Sequence, residues 1–216
     1  MVRRKLVSLF VCSLVMGTVS MAVAGIPDYT LSTATTAAGT QVSVYCSTIP
    51  GLGKTLLEAR TATGAVANAT ITLTLRDGNG DPIFAYPRED LWLATSLGGL
   101  VSCTPSIATV NTSTLGVTTF TDAVLAKGYS NRNGGEKTVV MIAGTPLSGS
   151  QLDILFNSAD INKDNVINGT DTVLYVTALK GFAADNYYAN LLYSAAVDGS
   201  DTVVYVTALK GLQGCQ

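Results

Sequence analysis

Eleven residues, Asp171-Thr-Val-Leu-Tyr-Val-Thr-Ala-Leu-Lys-Gly181, recur thirty positions later as Asp201-Thr-Val-Val-Tyr-Val-Thr-Ala-Leu-Lys-Gly211, and ten of the eleven are identical. A repeat of that length, apolar and ended by glycine, predicts two similar loop-plus-helix units that must pack on each other, because neither can bury its apolar face alone. The first copy is preceded by Asp160-Ile-Asn-Lys-Asp-Asn-Val-Ile-Asn-Gly-Thr-Asp171, which sets oxygen-bearing side chains at loop positions 1, 3, 5, 9 and 12. This is the spacing of a calcium loop. A hard divalent cation takes six to eight oxygens. Asp160, Asn162 and Asp164 supply three, the Val166 carbonyl and a bidentate Asp171 supply more, and Asn168 acts through a water. Position 6 of such a loop turns sharply, and Asn165 is the non-glycine residue type that best tolerates positive φ. The competing reading of the same stretch is a polar turn that caps a helix.

The loop pattern D-x-N-x-D-x-x-I-N-x-x-D, followed by an apolar helix and repeated, resembles the type I dockerin, a paired calcium-loop (F-hand) module of bacterial extracellular complexes. The resemblance spans about residues 153 to 212. Aligned by the helix repeat, the second loop carries Asn190, Leu192, Ser194, Asp198 and Asp201 at the five ligand positions. Leu192 cannot coordinate an ion, so that loop reads as degenerate, held by packing of Leu191, Leu192 and Val197, and one Ca2+ is expected rather than two. In dockerins the cohesin-facing residues lie at loop positions 10 and 11 and on the following helix. Here those are Gly169, Thr170, Val176, Thr177 and Gly181, with Gly199, Ser200, Val206, Thr207 and Gly211 in the second copy. The Ser-Thr and Lys-Arg contacts of the family are mostly absent, so docking onto the chain's own β domain stands beside an extracellular protein partner, cohesin-like or on the cell surface.

Residues 25 to 150 carry a different pattern. Val42, Val44 and Cys46 alternate with Gln41, Ser43 and Tyr45, and Ile71, Leu73 and Leu75 alternate with threonines. Period-two alternation predicts strands with one buried face. Further strands are expected at Leu91 to Ala94, Gly116 to Thr121 and Lys137 to Ile142, which together suggest a β-sandwich. The run Ile71-Thr-Leu-Thr-Leu-Arg-Asp-Gly-Asn-Gly-Asp-Pro-Ile83, with Ser113-Thr-Leu-Gly-Val-Thr-Thr-Phe120 downstream, resembles bacterial immunoglobulin-like domains of the invasin and intimin type. That resemblance implies a spacer or adhesion role. The fold class expected is therefore a mainly β, immunoglobulin-like sandwich followed by a small α-helical, dockerin-like module from 151 to 216.

Residues 1 to 24 read as a secretory signal peptide: Arg3, Arg4 and Lys5, an apolar run, then Ala22-Val-Ala24 as the cleavage site. Its removal lowers the formal net charge from −2 to near −5. An acidic chain without histidine argues against nucleic-acid binding. No later run reaches membrane-spanning length. Of the three cysteines left, Cys46 and Cys103 form the preferred bridge, with Cys215 able to pair with either or to stay free.

The absence of histidine also excludes Ser-His-Asp and Cys-His catalysis and histidine metal sites. Pro50-Gly-Leu-Gly-Lys-Thr55 mimics the end of a phosphate loop, but Thr48 stands where that motif needs glycine. Arg88-Glu-Asp90 beside Trp92 reads as a solvated turn leading into a strand with a core tryptophan. Tyr187 and Tyr188 read as a cover for the helix pair rather than an exposed contact surface. The expectation is a secreted, non-enzymatic structural or attachment protein, with a small carbohydrate-binding or carbohydrate-active accessory protein as the alternative.

Overall fold

The computed structural model describes residues 25–103, 106–147, 149–183 and 186–211. The expected signal peptide and Cys215 lie outside them. Twelve short strands come first: β1 (Thr33–Thr36), β2 (Val42–Tyr45), β3 (Ala59–Thr61), β4 (Val66–Ala67), β5 (Ile71–Thr74), β6 (Leu91–Thr95), β7 (Leu100–Ser102), β8 (Val117–Phe120), β9 (Ala126–Gly128), β10 (Thr138–Ile142), β11 (Thr145–Pro146) and β12 (Ile154–Asn157). Two α-helices of the described residues follow, α1 (Gly169–Leu179) and α2 (Gly199–Gly211).

The strands assemble as β1-β5-β8, β11-β10-β6, β12-β2-β3-β4 and β7-β9. Their inward residues meet in one apolar core: Ile71, Leu73 and Phe120 from the first sheet, Leu91, Leu93, Val140 and Ile142 from the second, Val42, Val44, Ile154 and Phe156 from the third. The alternation read from the sequence is kept in β5 and β6, where every second residue is buried. The turn at Asp77 to Pro82 is closed by the Asp77 carboxylate, whose Oδ1 accepts from the Asn79 and Asp81 amides at 2.9 and 3.0 Å. Trp92 is only half-buried, because the core-facing positions of β6 are Leu91, Leu93 and Thr95, so the expectation of a core tryptophan is corrected by the register of its own strand.

β2 departs from alternation altogether: all four of its residues are buried. Val42 and Val44 face the β core, whereas Tyr45 joins a second apolar cluster built by the helices and Ser43 bonds the Tyr187 hydroxyl at 2.8 Å. β12 behaves in the same way. It pairs with β2 in parallel, from Ile154 opposite Val42 to Asn157 opposite Tyr45. Ile154 and Phe156 enter the β core while Leu155 packs with Tyr187 and Tyr193. A strand covered on both faces reads as a continuous apolar run, which is why Ile154-Leu-Phe carries no alternation signal. β12 lies beyond residue 150 yet completes the sheet of residues 25 to 150.

The expected Cys46–Cys103 bridge does not form. Cys46 is a free thiol, fully buried in the β core at the end of β2, and its burial pushes the thiol pKa far up, while half-buried Cys103 takes no part in that cluster. Thiol labelling is expected to leave Cys46 unmodified in the folded protein and modified after unfolding. A Cys46–Cys103 cross-link in a non-reducing peptide map would contradict the inward orientation of Cys46.

Candidate metal centre

The helical unit is organised by its repeat. α1 buries Asp171, Tyr175 and Ala178, and α2 buries the equivalent Asp201, Tyr205 and Ala208. The spacing i, i+4, i+7 places each trio on one face. Tyr175 and Tyr205 stack with centroids 4.4 Å apart and planes 8° from parallel. The Tyr175 hydroxyl shares a 2.9 Å hydrogen bond with Thr202, and that of Tyr205 shares one of the same length with Thr172. The two copies thus exchange equivalent contacts, as a local two-fold requires. Stacking of this kind is worth about 0.5–1.5 kcal/mol beyond the area buried.

Both loops are tied down by the last residue of the twelve. Asp171 Oδ1 accepts from the amides of Ile161 and Asn162 at 2.8 and 3.1 Å, and its Oδ2 accepts from Asn168 at 3.0 Å. Asp201 repeats this with Leu192 at 2.8 Å and Asp198 at 2.9 Å. The N-terminal position of each loop differs. Asn190 closes its own turn, accepting from the Ser194 amide at 2.8 Å and donating to the Ser194 carbonyl at 2.7 Å. Asp160 has only acceptors to offer. Its Oδ2 takes the Asn165 amide at 3.1 Å, and its Oδ1 is buried without a hydrogen-bond partner.

Asp160 also lies among other carboxylates. One oxygen from each of Asp160, Asp164 and Asp171 lies within 4.8 Å of the others. Burial, then the Asp171 and Asp164 charges, push the Asp160 pKa up, whereas hydrogen bonds from Asn162 and Val166 hold that of exposed Asp164 down. Asn162 Nδ2 donates to Asp164 Oδ2 at 2.8 Å, and Asn168 Nδ2 meets Asp164 Oδ2 at 3.3 Å and the Val166 carbonyl at 3.1 Å. Of the six residues expected from the sequence, the three carboxylates come together, and Asn162, Val166 and Asn168 hydrogen-bond around Asp164. The donor set, carboxylates, amides and a carbonyl, fits a hard oxygen-seeking cation. Asn168 Oδ1 is taken up by the Thr170 amide at 2.7 Å as the cap of α1, in keeping with a ligand that acts through water. Asn165 adopts φ 78°, as position 6 demands.

Position 4 was not singled out from the sequence. Lys163 and its equivalent Tyr193 both have positive φ, 66° and 46°. Each is turned onto the β domain: Tyr193 bonds Gln41 Oε1 at 3.1 Å, and the Lys163 stem lies on Gly128 so closely that a Cβ there would come within 2.7 Å of its Cε. The Gly128 amide also donates to the Asp160 carbonyl at 2.8 Å. Tyr187, read from the sequence as a cover for the helices, is instead buried against the β domain, its ring edge-on to Tyr193 at 5.7 Å with the Arg132 guanidinium 5.4 Å from its centroid. Lys54, the lysine of the failed phosphate loop, pairs with Glu58 at 3.0 Å, and Glu89 pairs with Arg88 at 3.2 Å.

No protein-family model and no curated protein sequence matches this chain. A crystal structure of the Lin-41 filamin domain is similar over 59% of this chain and 95% of that one, at 15% identity and a TM-score of 0.30. A likeness that loose fixes neither fold nor function. Among the described residues no helix is long and apolar enough to cross a membrane.

The two loops give a paired prediction. Asp201→Ala strands the Leu192 and Asp198 amides and is expected to cost about 2–4 kcal/mol in calcium and in chelator alike. Asp171→Ala is expected to cost clearly more in calcium than in chelator. Chemical denaturation of both variants under both conditions checks this, and equal losses for Asp171→Ala would rule out a metal contribution from that residue.

Proposed function

We propose that the chain is a secreted, non-enzymatic structural or attachment protein of the bacterial exterior. In this reading a helical module of dockerin type binds one Ca2+ and caps an immunoglobulin-like β domain of the same chain. The observation that carries the metal assignment is Asp160, a buried residue whose Oδ1 has no hydrogen-bond partner and whose carboxylate lies together with two others. An unpartnered acceptor in that position is costly, and a divalent cation converts the cost into coordination. The loop resemblance and the oxygen-only donor set support calcium over softer metals. Asn190, already satisfied by Ser194, supports one ion rather than two.

The capping role rests on three hydrogen bonds between the units, Ser43 to Tyr187, Asn157 Nδ2 to the Asn190 carbonyl at 2.6 Å, and Tyr193 to Gln41. A module fixed in this way serves as a brace that calcium strengthens, and a surface partner would meet the two-unit body rather than a detached tag. The basic start of the chain and its small-residue cleavage site support export, where calcium is abundant.

Calorimetric titration of the mature chain with calcium is expected to give a stoichiometry near one. Asp160→Asn is expected to abolish the heat of binding and yet to raise stability in chelator by about 1 kcal/mol, since an amide nitrogen replaces the unpartnered oxygen beside Asp164 and Asp171. A stoichiometry of two, or calcium binding by Asp160→Asn equal to wild type, would sink the assignment.

A further inference from the structure

Between the β domain and the helical unit lies an open cleft of about 570 Å3, within the roughly 300–1,000 Å3 range of small-molecule sites. It is walled by the turn after β6, the segment after β9, Lys163 of the first loop, and the chain that leaves α1. The geometry points to this cleft as a binding site for a neutral, polyhydroxylated ring compound, a short oligosaccharide.

Its apolar surface is the pair Tyr129 and Tyr188, half-buried, with centroids 5.2 Å apart and planes tilted by 43°. Rings in contact at that angle leave no slot between them for a flat heterocycle. They present instead a bent apolar floor, suited to the C–H face of a puckered ring. Tyr188 is held there by its hydroxyl, which donates to the Leu174 carbonyl at 3.4 Å.

The polar lining suits hydroxyl groups rather than charge. Asn131 and Asn133, both exposed, bring side-chain amides that donate and accept. Asn131 is fixed by the Gly134 amide, which donates to its Oδ1 at 2.8 Å. The Glu136 carboxylate is buried and accepts from the amides of Leu97, Gly99 and Asn131, so its charge is spread over three donors. Among the described residues Lys163 is the single cation in the lining, which is too little to hold a phosphate or a polyanion. Lys163 is positioned by its packing on Gly128 and by a long 3.4 Å contact from Nζ to the Gly98 carbonyl.

The test is an array of neutral and acidic oligosaccharides probed with the labelled full-length mature chain, followed by calorimetry on the retained sugars. Wild type is expected to retain at least one class of neutral oligosaccharide. Tyr188→Ala is expected to weaken that binding about tenfold, whereas Tyr188→Phe, which keeps the ring, should stay within about twofold. Asn133→Ala, at an exposed position that leaves the fold intact, is expected to weaken it about fivefold. Retention of no neutral sugar, salt-sensitive retention of acidic glycans only, or wild-type affinity in both alanine variants would overturn the inference.

Discussion

The parallel pairing of β2 with β12 is the contact on which the rest of the molecule depends. One face of this pair completes the β core through Val42, Val44, Ile154 and Phe156, and the other receives Tyr45 and Leu155 into the clusters built by the helical unit. Large side chains buried in this way contribute about 1.5–3 kcal/mol each. Ser43 and Asn157, polar residues of the pair, are buried: Ser43 bonds Tyr187, and Asn157 Nδ2 donates to the Asn190 carbonyl while its Oδ1 has no hydrogen-bond partner. Losing the helical unit would leave both of them, and two apolar side chains, facing water. The two units therefore share a wall, and strain or order in one is felt by the other.

The repeat shows how one loop geometry can be closed in two ways. Asp171 and Asp201 do the same work, gathering backbone amides from both ends of their loops. The loops differ at positions 1, 3, 5 and 9, and the first position shows the consequence most plainly. Asn190 has a donor as well as an acceptor and satisfies itself on Ser194, whereas Asp160 brings a second acceptor into a place already rich in them. A loop with surplus negative charge is stable when something positive enters, and a loop with matched donors needs nothing.

Much of the helical unit was legible in the sequence because its signals are local. Ligand spacing fixes where the side chains of one short loop point, and a near-identical repeat fixes which helix faces meet. The alternating strands β5, β6 and β8 were legible for the same reason. β12 was not, since its run of Ile154, Leu155 and Phe156 has no period, and its pairing with β2 spans more than a hundred residues. The Cys46–Cys103 pairing failed because proximity of two cysteines depends on which face of β2 is inward, and β2 has no outward face. Trp92 was misplaced by one register step, the smallest error a strand allows and the one that exchanges inside for outside.

Position 4 of each loop explains why the helical unit sits where it does. Positive φ at a lysine or tyrosine is unfavourable for an L-residue and persists only where surrounding contacts outweigh it. At Tyr193 the return is an aromatic contact with Tyr187 and a hydrogen bond to Gln41. At Lys163 it is the close fit on Gly128, a residue whose own φ of 82° and lack of a side chain admit the lysine stem. The two copies of the repeat thus use equivalent backbone distortions to reach different parts of one β domain. In both copies the residue at this position is fixed by contacts with the β domain.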